Sequence, residues 1–171
     1  MEYKASLDTK AITITLAAFV LFLFLGYIDV KALIVPQLDT TTILIQVGKL
    51  LLFISILLVT YLLAPKSYIV DNTDLTIVRP VSNKKIKLTD IAEIRIIPEG
   101  ELIPGIRTFG SGGLFGYFGQ FNYKGIGNVT LFATQKRNRV FIKTKQGRKI
   151  IITPDDLGIT EQLKENLRPK H

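Results

Sequence analysis

The 171-residue sequence contains no cysteine, and its single histidine is the final residue, His171. Without thiols, disulfide bonds and thiolate metal sites are excluded. Without an internal histidine, the common histidine-assisted nucleophilic centres and zinc-hydrolase sites cannot be assembled. The sequence therefore predicts a protein that is not an enzyme and that holds no metal and no cofactor.

Net charge is absent from the first 65 residues, where four basic and four acidic side chains cancel. The remaining 18 of the 22 Lys and Arg residues and 10 of the 14 acids follow from Lys66 onward, so the formal charge of +8 belongs to the C-terminal part. A basic domain tied to a bilayer attracts anionic lipid headgroups. Nucleic acid binding and plain solubility are competing explanations, and we predict no nucleic acid partner because a membrane tether restricts the domain to the membrane surface.

Two long apolar runs account for much of the 47% hydrophobic content. At 1.5 Å per residue, Ala11 to Ile28 would extend about 27 Å and Ile43 to Ala64 about 33 Å, enough to span the hydrocarbon core of a membrane. We predict transmembrane helices at about 11–28 and 43–64, with Asp8 as N-cap of the first. Residues 1–65 would then form a membrane anchor. The alternative for the first run is a cleaved signal sequence, but no small-x-small cleavage site follows it.

The basic residues around these runs predict an orientation. Lys49, within two turns of the start of the second run, is expected to snorkel outward, with an intramembrane ion pathway as the alternative. Most of the nearby Lys and Arg residues lie before the first run or after the second, and few lie between the runs. This distribution predicts an inner or plasma membrane protein with both termini in the cytoplasm. The residues concerned are Lys4, Lys10, Lys66, Arg79, Lys84 and Lys85, against Lys31 alone in the connection.

After Tyr68 the apolar pattern changes to a period of two, which predicts an antiparallel β domain over residues 66–171. A C-terminal helix is predicted from Thr153 and Pro154, a capping residue followed by proline at the first helical position. Its apolar stripe consists of Ile159, Leu163 and Leu167. Seven strands are predicted, at 68–70, 75–79, 84–88, 91–97, 129–134, 139–144 and 149–152.

Residues 98–128 hold nine of the 13 glycines and six aromatic residues. Glycine loses more conformational freedom on folding than any other residue, so this segment needs buried aromatics to become ordered. Its glycines recur at every third position from Gly113 to Gly119, a spacing that suits neither strand nor helix. We therefore predict an irregular loop wrapped over the sheet. Phe115 and Phe118 should pack onto the domain, whereas Tyr117 should lie nearer the outside and contact the membrane or a partner.

Three sequence stretches occur in an order that resembles the bacterial pleckstrin-homology-like family of small membrane-tethered proteins. They are Gly113-Leu-Phe-Gly-Tyr-Phe-Gly, Val129-Thr-Leu-Phe-Ala-Thr and Gly147-Arg-Lys-Ile-Ile-Ile-Thr-Pro-Asp-Asp. The resemblance implies a two-helix transmembrane hairpin followed by an α+β domain, in which a bent antiparallel seven-strand sheet, or partly open barrel, is capped by the C-terminal helix. Lipid-binding pleckstrin domains carry basic residues in their first hairpin loop. The acidic turn 71–74 departs from that pattern and argues against specific phosphoinositide recognition.

The densest basic region includes Lys136, Arg137, Arg139 and Lys143. It is either a solvated β face or a surface that contacts a partner or anionic headgroups. The expected function is a membrane-anchored, non-enzymatic binding or scaffold module at the cytoplasmic face, with a protein partner or a second copy of the chain, and with anionic lipid, as its contacts. The alternative is an accessory subunit of a membrane transporter or membrane enzyme complex.

Overall fold

The computed structural model describes residues 1–34, 39–98 and 100–167, so Pro36, Glu99 and His171 lie outside the described residues. Two long helices, α1 (Thr9–Leu33) and α2 (Thr40–Leu63), occupy most of the first third of the chain. Both are long and apolar enough to cross a membrane. Each is longer at its start than the sequence predicted, and α1 also continues past Ile28 to include Asp29.

The two helices pack against each other in opposite directions. Phe22 stacks on Phe53, with ring centroids 5.0 Å apart, and Asp29 contacts Lys49, so later residues of α1 meet earlier residues of α2. Most of their other large apolar side chains are exposed. An exposed apolar surface of this extent is typical of a surface that contacts a membrane or another protein.

Among the described residues, the rest of the structure is built on two sheets that together contain ten strands. A four-stranded antiparallel sheet has the order β1-β2-β3-β4, and a six-stranded sheet has the order β5-β9-β10-β8-β7-β6, in which only β10 and β8 run parallel. Neither sheet is a closed barrel. The strands are β1 (Glu2–Lys4), β2 (Ser67–Val70), β3 (Asp74–Val78), β4 (Lys84–Lys87), β5 (Ile91–Ile97), β6 (Ile103–Gly113), β7 (Gly116–Lys124), β8 (Gly127–Ala133), β9 (Arg139–Thr144) and β10 (Lys149–Ile152).

All seven predicted strands are present, within one or two residues at their ends, and three further strands were missed. The predicted irregular loop at 98–128 is wrong, because most of it forms the long hairpin β6–β7. Glycine allows the two strands of this hairpin to approach each other closely. Gly110 and Gly119 face each other across the two strands with φ of 112° and 114°, and a Cβ on either would lie 2.1 to 2.3 Å from the opposite backbone.

Hydrophobic residues pack on both faces of the six-stranded sheet. Strand β10, in the middle of this sheet, is an example: Ile150 and Ile152 face the four-stranded sheet, whereas Ile151 faces the opposite side. A strand covered on both faces reads as a continuous apolar run. The main core lies between the two sheets, and the second core lies on the outer face, with Leu131, Phe141 and Tyr117 among its members.

Helix α3 (Gly158–Leu167) covers the main core with Ile159 and Leu163, both fully buried. The helix begins later than predicted, and the predicted cap at Thr153 is wrong. The Thr153 hydroxyl oxygen instead accepts hydrogen bonds from the backbone N–H groups of Thr134, at 3.0 Å, and Gln135. Asp156 accepts from the backbone N–H of Gly158 at the start of α3.

The N-terminal residues belong to the sheet-rich part of the structure. Strand β1 pairs with β2, Tyr3 is buried in the main core, and its hydroxyl donates to Gln162 of α3 at 2.8 Å. Helix α1 begins at Thr9, shortly after β1, and α2 ends at Leu63, shortly before β2. Each helix is therefore joined to one of two paired strands, α1 to β1 and α2 to β2, by only a few residues.

Candidate functional site at the helix–domain junction

Asp8 connects the first helix to the six-stranded sheet. Its carboxylate accepts a hydrogen bond from the backbone N–H of Ala11, at 2.7 Å, and so caps α1 as predicted. The same carboxylate accepts from the Tyr117 hydroxyl and from the backbone N–H of Lys136, each at 3.1 Å. Its own backbone N–H donates to the carbonyl of Thr134. The start of α1 is thus attached to β7 and to the β8–β9 turn.

Tyr117 lies inside the junction, only 6% exposed, so the expectation that it lies nearer the outside is wrong. The Lys136 ammonium covers its ring, 5.1 Å from the centroid, a cation–π arrangement. Burial, and then the negative charge of Asp8, raise the pKa of Tyr117 to about 12. Tyr117 therefore stays protonated at physiological pH and acts as a hydrogen-bond donor that holds Asp8.

The tip of the β6–β7 hairpin contacts the side of α1 at Thr15. The backbone N–H of Phe115 donates to the Thr15 hydroxyl oxygen at 2.9 Å, while that hydroxyl lies within donating distance of the carbonyls of Ala11, at 2.7 Å, and Gly113, at 3.5 Å. A Cβ at Gly113 would lie 2.4 Å from the side chain of Ile14. Glycine therefore permits the close approach between hairpin and helix.

Ser111 forms further hydrogen bonds with backbone groups of the tip. Its hydroxyl lies 2.6 Å from the Leu114 carbonyl and 3.0 Å from the Gly116 carbonyl, and it can accept from the N–H of Gly113 at 3.4 Å. Ser111 is itself buried. The tip consequently has two half-buried apolar side chains, Leu114 and Phe115, and several of its backbone polar groups pair with side chains.

The aromatic residues of the tip lie in two different environments. The Phe115 ring packs edge-on against Phe19 of α1 and Tyr61 of α2, with centroids 6.0 and 5.5 Å away. Its backbone has a φ of 54°, a left-handed conformation that is rare for a non-glycine residue. Phe115 thus packs against the two helices, whereas the sequence predicted packing onto the sheet-rich domain. Phe118 is buried and faces the groove between the hairpin and the helices.

A cavity of about 270 Å³ opens on the outer face of the six-stranded sheet. Tyr117, Phe121 and Tyr123 form an aromatic wall, and Lys136 and Arg139 contribute cationic groups. The remaining lining is Leu102, Gly105, Gly112, Leu131, Ala133, Gln135, Ile151 and Thr153. Such a lining suits a ligand segment with an apolar part and an acidic group.

The basic residues singled out from the sequence lie at two ends of β9. Lys136, Arg137 and Arg139 lie at the end next to Asp8, and Lys136 and Arg137 are exposed. Lys143 lies at the opposite end of the strand, where Lys145 and Arg148 are also exposed. The structure therefore brings three of the four predicted cations to the junction with the helices and separates Lys143 from them.

The Lys49 ammonium pairs with the buried carboxylate of Asp29, four residues before the end of α1, a partner that the sequence analysis did not identify. The sequence placed Asp29 in the connection between helices, which hid the pair. A charge pair inside an apolar helix hairpin joins the helices, and each charge is less costly there than it would be alone. The nearby side-chain oxygen of Gln46 has no hydrogen-bond partner among the described residues.

The sequence pattern of the bacterial PH domain matches residues 66–170, which is more than half of the chain. This chain belongs to the bacterial PH domain family. The expected resemblance is thereby confirmed, and so is the general architecture of two apolar helices, a sheet-rich PH-like domain and a C-terminal helix. No curated protein and no solved structure matches the chain significantly.

Sequence reasoning missed two residues that build the junction, Thr15 and Ser111. Thr15 carried a signal, since it is a polar residue within an apolar run that meets the domain. Ser111 is surrounded by glycines, and the short apolar stretch beyond it gave no indication of a hairpin. Asp8 was recognised as a helix cap, but its contacts with Tyr117 and Lys136 span more than a hundred residues of sequence.

Proposed function

We propose that this bacterial PH domain protein is a non-enzymatic binding module, held in a fixed orientation at the cytoplasmic face of a membrane by two spanning helices, where it contacts anionic lipid and a protein partner. The observation that carries the proposal is the direct attachment of both helices to the domain. Helix α1 is capped by Asp8, which Tyr117 and Lys136 hold, and α2 leads into β2 within a few residues. A flexible linker would allow the domain to rotate; this junction does not.

The cations near the helix ends support contact with anionic headgroups. Lys10 lies in the first turn of α1, Lys66 follows α2 with its ammonium 4.5 Å from the ring centre of Tyr61, and the Arg79 turn contacts the end of α2 through the Val81 backbone. Each Lys or Arg close to an anionic membrane contributes on the order of 1 kcal/mol. These residues also supply the positive charge expected on the cytoplasmic side of the helices.

The basic residues at the far end of β9 support a protein partner. Lys143 lies four residues beyond Arg139 on β9, which is roughly 14 Å at 3.4 Å per residue, and Lys145 and Arg148 lie in the turn that follows the strand. This distance exceeds the Debye length of about 8 Å at physiological ionic strength, so headgroups of the same membrane exert little attraction there. An acidic protein surface is the partner that such an exposed cluster fits.

Thiol labelling tests the membrane topology, because the chain has no cysteine of its own. Single variants Ile34→Cys, at the exposed end of α1, and Lys84→Cys, on the exposed β4, would be treated with an impermeant thiol reagent on intact cells. Ile34→Cys should be labelled on intact cells, and Lys84→Cys only after lysis. Labelling of Lys84→Cys alone on intact cells would contradict the proposed orientation.

Charge reversal tests the two contacts separately in the full-length protein. Lys143→Glu with Arg148→Glu should reduce copurification of a cytoplasmic partner from mild detergent. Lys66→Glu with Arg79→Glu should weaken the binding of anionic lipid to the protein and leave that partner bound. Loss of the partner from both double variants equally would contradict the division of contacts. A stable integral membrane partner retained by both would instead favour an accessory subunit of a membrane complex.

A further inference from the structure

The tip of the β6–β7 hairpin extends beyond the sheets and lies along the helices. Leu114 and Phe115 form its turn, and Phe115 contacts Thr15 and Phe19 of α1. These two residues follow Thr9, the first residue of α1, by six and ten positions, or about 9 and 15 Å along the helix axis. A helix of 25 residues extends about 37 Å, whereas the hydrocarbon core is about 30 Å thick. Only a few ångströms at each helix end therefore lie outside the hydrocarbon.

We infer that the hairpin tip is a third membrane-embedded element, whose Leu114 and Phe115, together with Phe109 on β6, contact lipid acyl chains of the leaflet that faces the domain. The inference rests on the proposed function, because it requires α1 and α2 to cross the bilayer. The depth of the contacts on α1 then places the tip beneath the headgroups.

Protein side chains pair with several backbone groups of the tip, as a lipid environment requires. In hydrocarbon, each polar backbone group without a partner costs several kcal/mol, so irregular backbone is tolerated only where protein satisfies it. The Thr15 hydroxyl oxygen accepts from the Phe115 N–H, and the Ser111 hydroxyl donates its one proton to the Leu114 or the Gly116 carbonyl. A turn in water would need neither arrangement, because solvent would satisfy the same groups.

A groove of about 420 Å³ between the hairpin and the helices supplies the surface for an acyl chain. Phe109 is 75% exposed and lines this groove together with Ile56 and Val59 of α2. Its lining is mostly apolar and continues directly into the exposed apolar faces of α1 and α2; the other members are Ile14, Thr60, Leu63, Arg107, Gly110, Ser111, Gly112, Leu114 and Phe118. Arg107 is exposed, so its guanidinium can bind a headgroup phosphate while its stem lies on apolar surface.

Tryptophan fluorescence tests the insertion, because the chain contains no tryptophan and any single one is a clean reporter. Leu114→Trp and Phe109→Trp would be placed in the full-length protein, reconstituted into phosphatidylcholine vesicles with phosphatidylglycerol, and exposed to lipids brominated at shallow or deep acyl positions. We expect the emission of both variants to be weaker in brominated than in unbrominated lipid. The emission of Leu114→Trp should also lie at a shorter wavelength than that of a tryptophan in water. The loss should be larger with shallow than with deep bromines.

Two control variants separate the possible failures. Phe24→Trp, at an exposed apolar position of α1, should be quenched by deep bromines. Asn72→Trp should not be quenched, because it lies in the exposed β2–β3 turn, at the end of β2 that is remote from α2. Quenching of Phe24→Trp without quenching of Leu114→Trp and Phe109→Trp would overturn the inference and leave the anchor intact. Absence of quenching in Phe24→Trp would overturn the proposed function, and the inference with it.

Discussion

The Tyr117 hydroxyl donates a hydrogen bond to the carboxylate of Asp8, 3.1 Å away, across 109 residues of sequence. Asp8 also caps α1, so one carboxylate joins the helix start to β7. This arrangement makes the first helix an extension of the domain. Mutations at Tyr117 should therefore lower the stability of the folded protein, because the residue is buried and does not form an exposed contact.

Tyr117→Ala should lower the free energy of unfolding by about 3 to 5 kcal/mol, because it removes a buried aromatic ring from the outer core. Tyr117→Phe keeps the ring and removes only the hydrogen bond to a charged group, which should cost about 1.5 to 3 kcal/mol. Denaturant titration of the full-length protein in detergent would measure both. Tyr27→Phe, at a 65% exposed position on α1, is the matched control and should change little. A Tyr117→Ala variant as stable as the parent would contradict the buried position.

Stability should fall with rising pH in the alkaline range. Burial raises the pKa of Tyr117 to about 12 and also raises the pKa of Tyr68, so both hold their protons longer in the folded protein than in the unfolded chain. The stabilisation is complete below pH about 10, where an unfolded tyrosine is still protonated, and is lost as the pH rises toward 12. Unfolding midpoints measured between pH 8 and 12 should show this decline. In Tyr117→Phe the decline should be shallower, and an unchanged slope would contradict the assignment.

The two helices and seven of the ten strands could be predicted because each is encoded by a local pattern. Ala11 to Ile28 is a continuous apolar run, and strands such as Ile91–Ile97 have alternating or continuous apolar residues between turn signals. Asp8 could likewise be recognised as a helix cap from its position alone. Features that depend only on residues close in sequence could therefore be predicted.

The hairpin β6–β7 could not be predicted, because its strands hold glycines at positions such as Gly110 and Gly119 that disfavour regular strands in isolation. Their positive φ angles and close backbone approach become favourable only when the two strands pair. Strand β1 is three residues long and pairs with a strand more than sixty residues away. The Asp29 and Lys49 pair required knowing where α1 ends. Each of these depends on contacts between distant residues.

Strand β1 should be essential for the stability of the domain, so Tyr3→Ala should lower the free energy of unfolding by about 3 kcal/mol or more. Tyr3 is buried between the sheets, and its hydroxyl also donates to Gln162. Glu2→Ala, in the same strand but exposed, is the control and should be nearly neutral. Chemical denaturation of the full-length variants would compare them. If residues 66–171 alone unfolded with the same midpoint as the full chain, β1 would not contribute as the structure indicates.

The Asp29 and Lys49 pair should show strong coupling. Asp29→Asn or Lys49→Gln alone leaves one charge without its partner in an apolar surrounding, which should cost about 3 to 5 kcal/mol. The double variant Asp29→Leu with Lys49→Leu removes both charges and should cost far less than the sum of the single changes. Unfolding in sodium dodecyl sulfate would measure the cycle, with Lys31→Gln, an exposed position on α1, as control. Additive effects would mean that the pair is not formed.

Gly113→Ala should loosen the contact between the hairpin tip and α1. A Cβ at this position would lie 2.4 Å from the Cδ1 of Ile14, so the Ile14 side chain would have to move away from the tip, and the φ of 146° is strained for any residue with a side chain. Gly147→Ala is a matched control, because Gly147 has a φ of 81° but a Cβ there would meet no atom within 4 Å, so it tests backbone strain without the collision. That strain alone should cost about 1 to 3 kcal/mol in either variant. Only Gly113→Ala should also weaken the contacts of Phe115 with Phe19 and Tyr61, and so accelerate proteolysis within β6–β7 in detergent. Equal proteolysis of the two variants would show that the tip is not held by this close approach.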